Sequence, residues 1–420
     1  VTKTSRAVMS LLLIAGLAAG CGTPSTGDAA TTTGVASAGG SSAAPSADGP
    51  IKIAVIGPSS GALAQFGADA VDAWQFAVDE VNSSGGLLGR QVELVKKDTD
   101  GAAATTLREA KAAVTQDGAS FIGAVMTSTE HGALNAQLDT LGALSINSLG
   151  KDDGLSGKDC NDNAFRVVQS TTMDVNAMAA AIDKIPGEKW AIQAVDYSTG
   201  HTSAEVFKAA AAKAGKEVVL EQYAPLNTTD FGTYITKIQD SGADALLAVE
   251  YGADGVAFVN QAAQFGLPAQ LKSVLGFNMV SQPLFPALGD KVLGFFNNVG
   301  YDPSLDNELN KKFVEAWKAA HDGAEPYYVQ ADNYLGAQLL FEAIKKAGST
   351  DVDAVRTAME GLTFDSIVGS VEMRAGDHQL IRPSYVGQVE KDSAGELGFT
   401  LISESDGAAI MPPVNTECKL

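Results

Sequence analysis

From residue 51 onward, apolar positions follow two alternating rhythms. Ile51-Lys52-Ile53-Ala54-Val55-Ile56 is a β-rich run that closes in Gly57-Pro58-Ser59-Ser60-Gly61. Trp74, Ala77, Val78 and Val81 then recur at i, i+3, i+4 and i+7, which predicts one buried helix face, ended by Asn82-Ser83-Ser84-Gly85-Gly86. A strand at 92–95, a helix near 105–115, a strand at 120–125, a helix near 133–141 and a strand at 143–147 complete a first round. A second round repeats the order. It runs from a strand at 190–195 through a helix at 202–213 closed by Gly215, a strand at 218–221 and a helix opened by Asp230 with Phe231, Tyr234, Ile235 and Ile238 on one face. A strand at 245–249, a helix at 256–265 and a strand at 271–275 finish it. Even the entries to the third strands match, Asp117-Gly118-Ala119 in one round and Ser241-Gly242-Ala243 in the other. Strands alternating with helices of this length predict an α/β fold of two doubly wound, parallel-sheet lobes, each with a crevice at the carboxyl ends of its strands.

The remainder does not open a third domain. Leu309, Phe313 and Trp317 predict one helix face, Leu335, Leu339, Leu340, Ala343 and Ile344 another, and Val352, Val355 and Met359 a third. All three need sheet surface, which the two lobes can supply. Ahead of the repeats, Lys3 and Arg6 precede an uncharged stretch, 7–20, the layout of a secretory signal peptide over 1–20. Leu17-Ala18-Ala19-Gly20-Cys21 resembles a bacterial lipobox, so Cys21 is the expected acylated N-terminus of the mature chain. Of the 29 residues that follow, 26 are Gly, Ala, Ser, Thr or Pro. Such a segment buries too little to order itself, so 21–50 is expected to be a flexible linker.

Composition narrows the function. The chain has 420 residues with 50 acidic against 29 basic side chains, a formal charge of -21, which argues against a nucleic-acid partner. Its three cysteines show no Cys-x-x-Cys spacing, and His131, His201, His321 and His378 show no metal-ligand spacing and are expected at the surface or in loops. No metal, nucleotide or other cofactor is expected.

Gly57-Pro58-Ser59-Ser60-Gly61 fits the Gly-x-Ser-x-Gly pattern between a strand and a helix. A serine hydrolase using Ser59 would need partners such as His378 and Asp365. That elbow normally follows a strand deep in its sheet, whereas here it follows the first strand. The alternative needs only a turn of hydroxyls and amide groups at a helix start, suited to a carboxylate. Met126-Thr127-Ser128-Thr129 also follows a strand, where hydroxyls either meet a ligand or cap a helix.

Residues 51–67, Asp79-Glu80-Val81-Asn82 with Gly85-Gly86 and Gly89-Arg90, Phe165-Arg166, Thr229-Asp230-Phe231, Asp332-Asn333-Tyr334 and Val368-Gly369-Ser370 together resemble the type I periplasmic binding proteins. The nearest group is similar to the branched-chain and hydrophobic amino-acid receptors of ABC importers. The resemblance implies two lobes joined by three crossover segments, lobe one at 51–168 and 303–380, lobe two at 169–302 and 381–420. It implies a small-molecule ligand between them, permease and ATPase partners, a location on the outer face of the cell membrane through the lipid anchor, and no catalysis. A ligand sensor for a membrane signalling protein is an alternative use of the same fold.

Carried over, the ligand contacts fall on Ser59, Ser60, Phe66, Thr127, Ser128, Leu149, Gly150 and Lys151 from lobe one. Lobe two adds Tyr197, Thr199, Tyr251, Phe277 and Asn278. Phe277 stands where amino-acid receptors present an acid to the ligand ammonium, which disfavours a plain α-amino acid unless Glu250, Asp254 or Asp196 substitutes. Lys151 replaces a hydroxyl and favours an acidic ligand group. The expected ligand is therefore a small carboxylate with an apolar or aromatic body. The family often has a disulfide in lobe one that is absent here. Cys160 and Cys418 remain once Cys21 is acylated, and in an exported protein they are expected to pair and pin the C-terminal tail.

Overall fold

The structure, a computed structural model, describes residues 49–61 and 63–420. The expected signal peptide, Cys21 and all but the last two residues of the expected linker lie outside the described residues. Strands β1 (Ile51–Pro58), β2 (Val92–Thr99), β3 (Phe121–Gly123), β4 (Leu144–Asn147) and β5 (Ala164–Arg166) form a parallel sheet in the order β2-β1-β3-β4-β5. Parallel neighbours need crossovers, and helices Ala64–Ser83, Ala103–Thr115 and Ser128–Asn135 supply three of them. The core of this lobe is set by Trp74, whose indole N–H donates to Asn333 Oδ1 at 3.0 Å. Gly123 on β3 faces that ring with no space for a Cβ.

The second series gives β6 (Lys189–Val195), β7 (Glu217–Ala224), β8 (Ala245–Val249), β9 (Ser273–Gly276) and β10 (Phe296–Val299), parallel in the order β7-β6-β8-β9-β10. Every residue of β8 is buried, as a strand covered on both faces requires. Beyond the two expected rounds, β11 (Thr363–Ser366), β12 (Gly369–Met373) and β13 (Leu380–Ile381) make a small antiparallel sheet. Ile367, Val371, Met373 and Leu380 share the first lobe's core with Ile53 and Trp74. Strand β14 (Ser384–Lys391) extends the second sheet antiparallel to β10, and β15 (Leu397–Ser405) pairs antiparallel with β14.

Two expected helices change. The stretch expected as one helix at 133–141 is two, Ser128–Asn135 and Leu138–Leu141, separated where Gln137 N turns back to Leu134 O. In helix Glu308–Ala320 the buried face holds Asn310, Phe313 and Trp317, while Leu309 is 38 % exposed. The Asn310 amide is satisfied there, accepting from the Tyr301 hydroxyl (2.7 Å) and donating to the Pro303 and Leu305 carbonyls.

Three segments cross between the lobes near Val167, Gly300 and Arg382. The Arg382 guanidinium is fully buried, pairs with Asp332 at 2.5 Å, and donates to the Val167 carbonyl (3.3 Å) and the Gly300 carbonyl (2.8 Å). Gln169 adds a bond to the Pro383 carbonyl at 2.9 Å. One cation thus ties each crossing to the others and to lobe one's helix Tyr328–Ala347.

The tail departs from its expected place in lobe two. Ile410 packs on Met173 and Ala177 of that lobe. Beyond it, the Pro412 carbonyl accepts from Arg374 (2.7 Å), Val414 sits over Gly376, and Cys418 is disulfide-bonded to Cys160 with Cα atoms 5.6 Å apart. Residues 412–418 therefore lie on lobe one, because their partners in the 157–160 and 374–376 loops do.

Candidate functional site

In doubly wound sheets the ligand crevice lies at the carboxyl ends of the strands, where the strand order reverses. The candidate residues follow β1, β3, β4, β6, β8 and β9, so the topology collects all of them at those ends.

On lobe one, each loop has local obligations. Gly57 and Pro58 belong to β1, and the Ser59 amide donates to Asp98 Oδ1 at 2.9 Å, which holds that carboxyl below its usual range. The Ser59 amide expected to be free for an anion is therefore occupied. Ser59 lines a groove of about 510 Å³ with Val71, Lys96 and Asp98, Ser60 is exposed, and Phe66 packs half-buried on the lobe-one core. Thr127 caps helix Ser128–Asn135. Its hydroxyl donates to Glu130 Oε2 (2.8 Å) and accepts from the Glu130 amide (3.2 Å), and its own amide also donates to that carboxylate. The Thr127 proton is thus committed. Ser128 Oγ accepts from the Asp152 amide at 3.1 Å, leaving its proton for another acceptor.

The β4 exit is organised by Asn147, which receives the Leu149 and Gly150 amides and donates to the Gly150 carbonyl. That turn delivers Lys151 across to lobe two. Its Nζ lies 2.6 Å from Asp174 Oδ2 and 3.5 Å from Asn278 Oδ1. Asp174 is fully buried, so the expected free cation is an ion pair between the lobes. A cavity of about 20 Å³, room for one water, lies beside it against Asn298 and Tyr328.

Lobe two presents aromatic rings. Tyr251 lies edge-on to Phe277 at 6.0 Å and 6.3 Å from Tyr197, with Thr199 interacting with the Tyr197 hydroxyl. Burial raises the Tyr197 phenol to about 12 and Tyr251 well above its ordinary value, so both stay protonated. The Tyr251 hydroxyl is buried, and its approach to the Tyr197 hydroxyl falls short of a well-formed hydrogen bond. Asn278 has a left-handed backbone (φ 48°), held by its amide to Asn298 Oδ1 at 2.7 Å.

Of the lobe-two acids, Asp254 and Asp196 are engaged, whereas Glu250 gives one oxygen to Gln193 and keeps Oε2 buried without a partner. Glu250 is buried, accepts from Gln193 at 2.8 Å and is pushed up to about 7 by burial. Asp254 accepts the Asn227 amide at 2.7 Å, and Asp196 pairs with His201 at 2.9 Å.

His131 is not where it was expected, since it is buried in helix Ser128–Asn135, whereas His378 lies in a loop as expected but is buried there. His131 is buried with Nε2 on the Val125 carbonyl, and His378 is buried and stacked on Phe165 at 4.0 Å with Nδ1 on the Ala164 carbonyl. Burial drives both down to about 4. His378 and the exposed Asp365 on β11 make no contact with Ser59, so the hydrolase constellation does not form. Among the described residues no group of His, Cys, Asp and Glu is arranged to hold a metal.

Glu130, Asp174 and Asn298 were missed from the sequence. Thr127-Ser128-Thr129-Glu130 carries a capping-box spacing that announces the first. Asp174 and Asn298 carry no local signal.

Two parallel-sheet lobes with a cross-lobe contact at their strand ends agree with what comparison finds. Residues 50–395 match the model of a family described as periplasmic binding protein. The chain belongs to this family. As a solute-binding protein it is 25 % identical over 391 residues to Leu/Ile/Val-binding protein homolog 4 of Brucella abortus, covering 88 % of this chain and 92 % of that one. An amino acid ABC transporter substrate-binding protein from Pseudomonas fluorescens Pf-5 superposes with TM-score 0.81 at 28 % identity, covering 89 % of this chain and all of that one. An ABC transporter solute-binding protein from R. palustris in complex with 4-hydroxybenzoate shares the fold, with TM-score 0.77, 24 % identity and coverage of 85 % and 97 %.

Proposed function

We propose that this solute-binding protein takes a small carboxylate with an apolar or aromatic body between its lobes and delivers it to the permease of an ABC importer. The observation that carries the reading is the state of lobe two's acids, two of them paired and Glu250 held protonated up to about 7 by burial. Glu250 holds Gln193, Asp254 holds the Asn227 amide, and Asp196 faces His201. Among these acids a ligand ammonium would find only the unpartnered Glu250 Oε2, on a carboxyl that burial keeps protonated up to about 7, and its burial there would cost several kcal/mol. A carboxylate finds the uncommitted Ser128 proton and the remaining N–H groups of Lys151. Phe66, Tyr197, Tyr251 and Phe277 supply apolar walls. Closure requires only that the ligand bind the closed state more tightly than the open one.

The R. palustris neighbour's 4-hydroxybenzoate is of this ligand class, but at its level of identity only the fold is shared. The choice therefore rests on the residues. Titration calorimetry with 4-hydroxybenzoate, benzoate and leucine tests it. Aromatic acids should bind and raise the melting temperature. Tight binding of leucine, isoleucine or valine without any response to aromatic acids overturns it.

The reading includes an anchor. Acylated Cys21, with the Gly/Ala/Ser/Thr/Pro-rich linker spanning roughly 30 Å, would hold the body beside the membrane. Cys21→Ala should shift the protein from the membrane to the soluble fraction, and a variant that stays membrane-bound refutes the anchor. The lobe boundaries proposed are 51–168 with 303–380, and 169–302 with 381–410, the last residues returning to lobe one.

A further inference from the structure

The chain passes between the lobes a fourth time. After β15 the short helix Gly407–Ile410 is fixed to lobe two, with Ile410 on Met173 and Ala177 and its carbonyl accepting from Asn176 at 2.8 Å. Residue 412 already touches lobe one through Arg374, and Cys418 is bonded to Cys160. The covalent ring from Cys160 to Cys418 closes over 258 residues and contains the whole second sheet. Lobe two is therefore held to lobe one by three backbone crossings and by a strap locked with a disulfide.

We propose that this C-terminal strap restrains the hinge, so that the Cys160–Cys418 bond sets how far the lobes separate in the ligand-free protein. The segment from 411 to 418 can reach at most about 25 Å even when fully extended, and Pro412 and Pro413 stiffen its start. The strap also lies beside the first crossing. It closes one side of a cavity of about 190 Å³ whose other walls include Asp153, Arg166, Ser170 and Thr172. In that cavity wall the Asp153 carboxylate of lobe one accepts both the amide and the hydroxyl of Thr172 at the start of lobe two's first helix (3.2 and 2.8 Å). Rotation of lobe two about the crossings has to draw Ile410 away from Arg374 and Gly376. Noncovalent contacts alone would yield to that motion; a disulfide does not.

The test follows hydrogen–deuterium exchange across the ligand-free full chain, with and without dithiothreitol. The dithiol gives two electrons and two protons to the disulfide and leaves as its cyclic disulfide, and circular dichroism verifies that the fold persists. Reduction should speed exchange about three- to tenfold at 167–170, which borders the strap, and also at the crossings 299–303 and 381–384, which do not line its cavity. It should also widen the ligand-free particle in small-angle scattering. A Cys160→Ser/Cys418→Ser variant should show the faster exchange without reductant and ignore its addition. Acceleration confined to 411–420 and 157–160, with the crossings unchanged, reduces the strap to a local staple and overturns the proposal. So does a double variant that still responds to dithiothreitol at the crossings. Should that variant not fold, the reduced native chain decides alone.

Discussion

The two lobes repeat one topology and spend their polar groups differently. The exits of their third strands correspond: Thr127 follows β3 and Tyr251 follows β8, each as the cap residue of the next helix. At Thr127 the helix answers from within, since Glu130 closes a capping box that consumes the hydroxyl proton and the amide. At Tyr251 no side-chain cap forms, and the buried hydroxyl has only a poorly formed interaction with that of Tyr197. The exits of the fourth strands also correspond, and there the loops meet, Lys151 from lobe one reaching Asn278 and Asp174 of lobe two. Equivalent places in a duplicated fold therefore carry different obligations. One lobe is locally self-satisfied at the position where its counterpart is not.

The largest break in the comparison removes what both lobes share. Asp332→Ala leaves Arg382 as an uncompensated buried charge and should cost about 3–5 kcal/mol in chemical denaturation. Next, Glu130→Ala strips the acceptor from the hydroxyls of Thr99, Thr106 and Thr127, and should cost about 2–3 kcal/mol. It would also make lobe one's exit resemble lobe two's.

The lobes also oppose each other in pH. His131 and His378 of lobe one are held neutral, with pKa near 4 against an ordinary 6.5, so the stability they contribute is present above about 6.5 and lost as pH falls towards 4. Glu250 of lobe two keeps its proton up to about 7, whereas the unfolded chain releases it near 4.5, so across that window stability falls as pH rises. Between about 4.5 and 6.5 these three groups sum to one net proton, a slope of about 1.4 kcal/mol per pH unit favouring the higher pH. Glu250→Gln should steepen that slope to about 2.7 and raise stability at pH 8 by about 3 kcal/mol, with little effect near pH 4. Thermal unfolding across pH measures both, and parallel curves for variant and native chain would remove Glu250 from the account.

The smallest effect is the most pointed. Tyr251→Phe removes a buried hydroxyl that has no well-formed hydrogen bond, so the ligand-free protein should keep its stability or gain up to about 1 kcal/mol, whereas Thr127→Ala should lose about 1 kcal/mol. If Tyr251→Phe destabilises the ligand-free protein as much as Thr127→Ala does, the contrast between the two exits fails.

Much of the fold was legible because burial is written locally. Period-two and period-3.6 patterns marked the strands and helices of both rounds, and the duplication marked two lobes. Strands β11–β15 were not legible. β11 alternates over only four residues, β15 mixes exposed and half-buried positions without a clean alternation, and β13 has two residues. Leu309 misled for a related reason, since a helix face is known to about one residue until its neighbour is known. At the site, Glu130 was readable from its spacing to Thr127. Asp174 was not, because an aspartate on a helix gives no sign of which lysine it will meet.

By itself the sequence determined the two strand-helix series, their doubly wound form, and the strand ends at which candidate ligand residues collect. Each of these follows from near-neighbour periodicity. Only the tertiary structure decided how charges and tail are joined. Lys151 meets Asp174 and Asn278, Arg382 gathers the carbonyls of Val167 and Gly300, and the tail returns to lobe one. Those pairings span from 23 to 258 residues of chain and run between the lobes, through their crossings or along the returning tail. No local pattern records which buried charge will find which partner, since that is settled by how the two lobes dock.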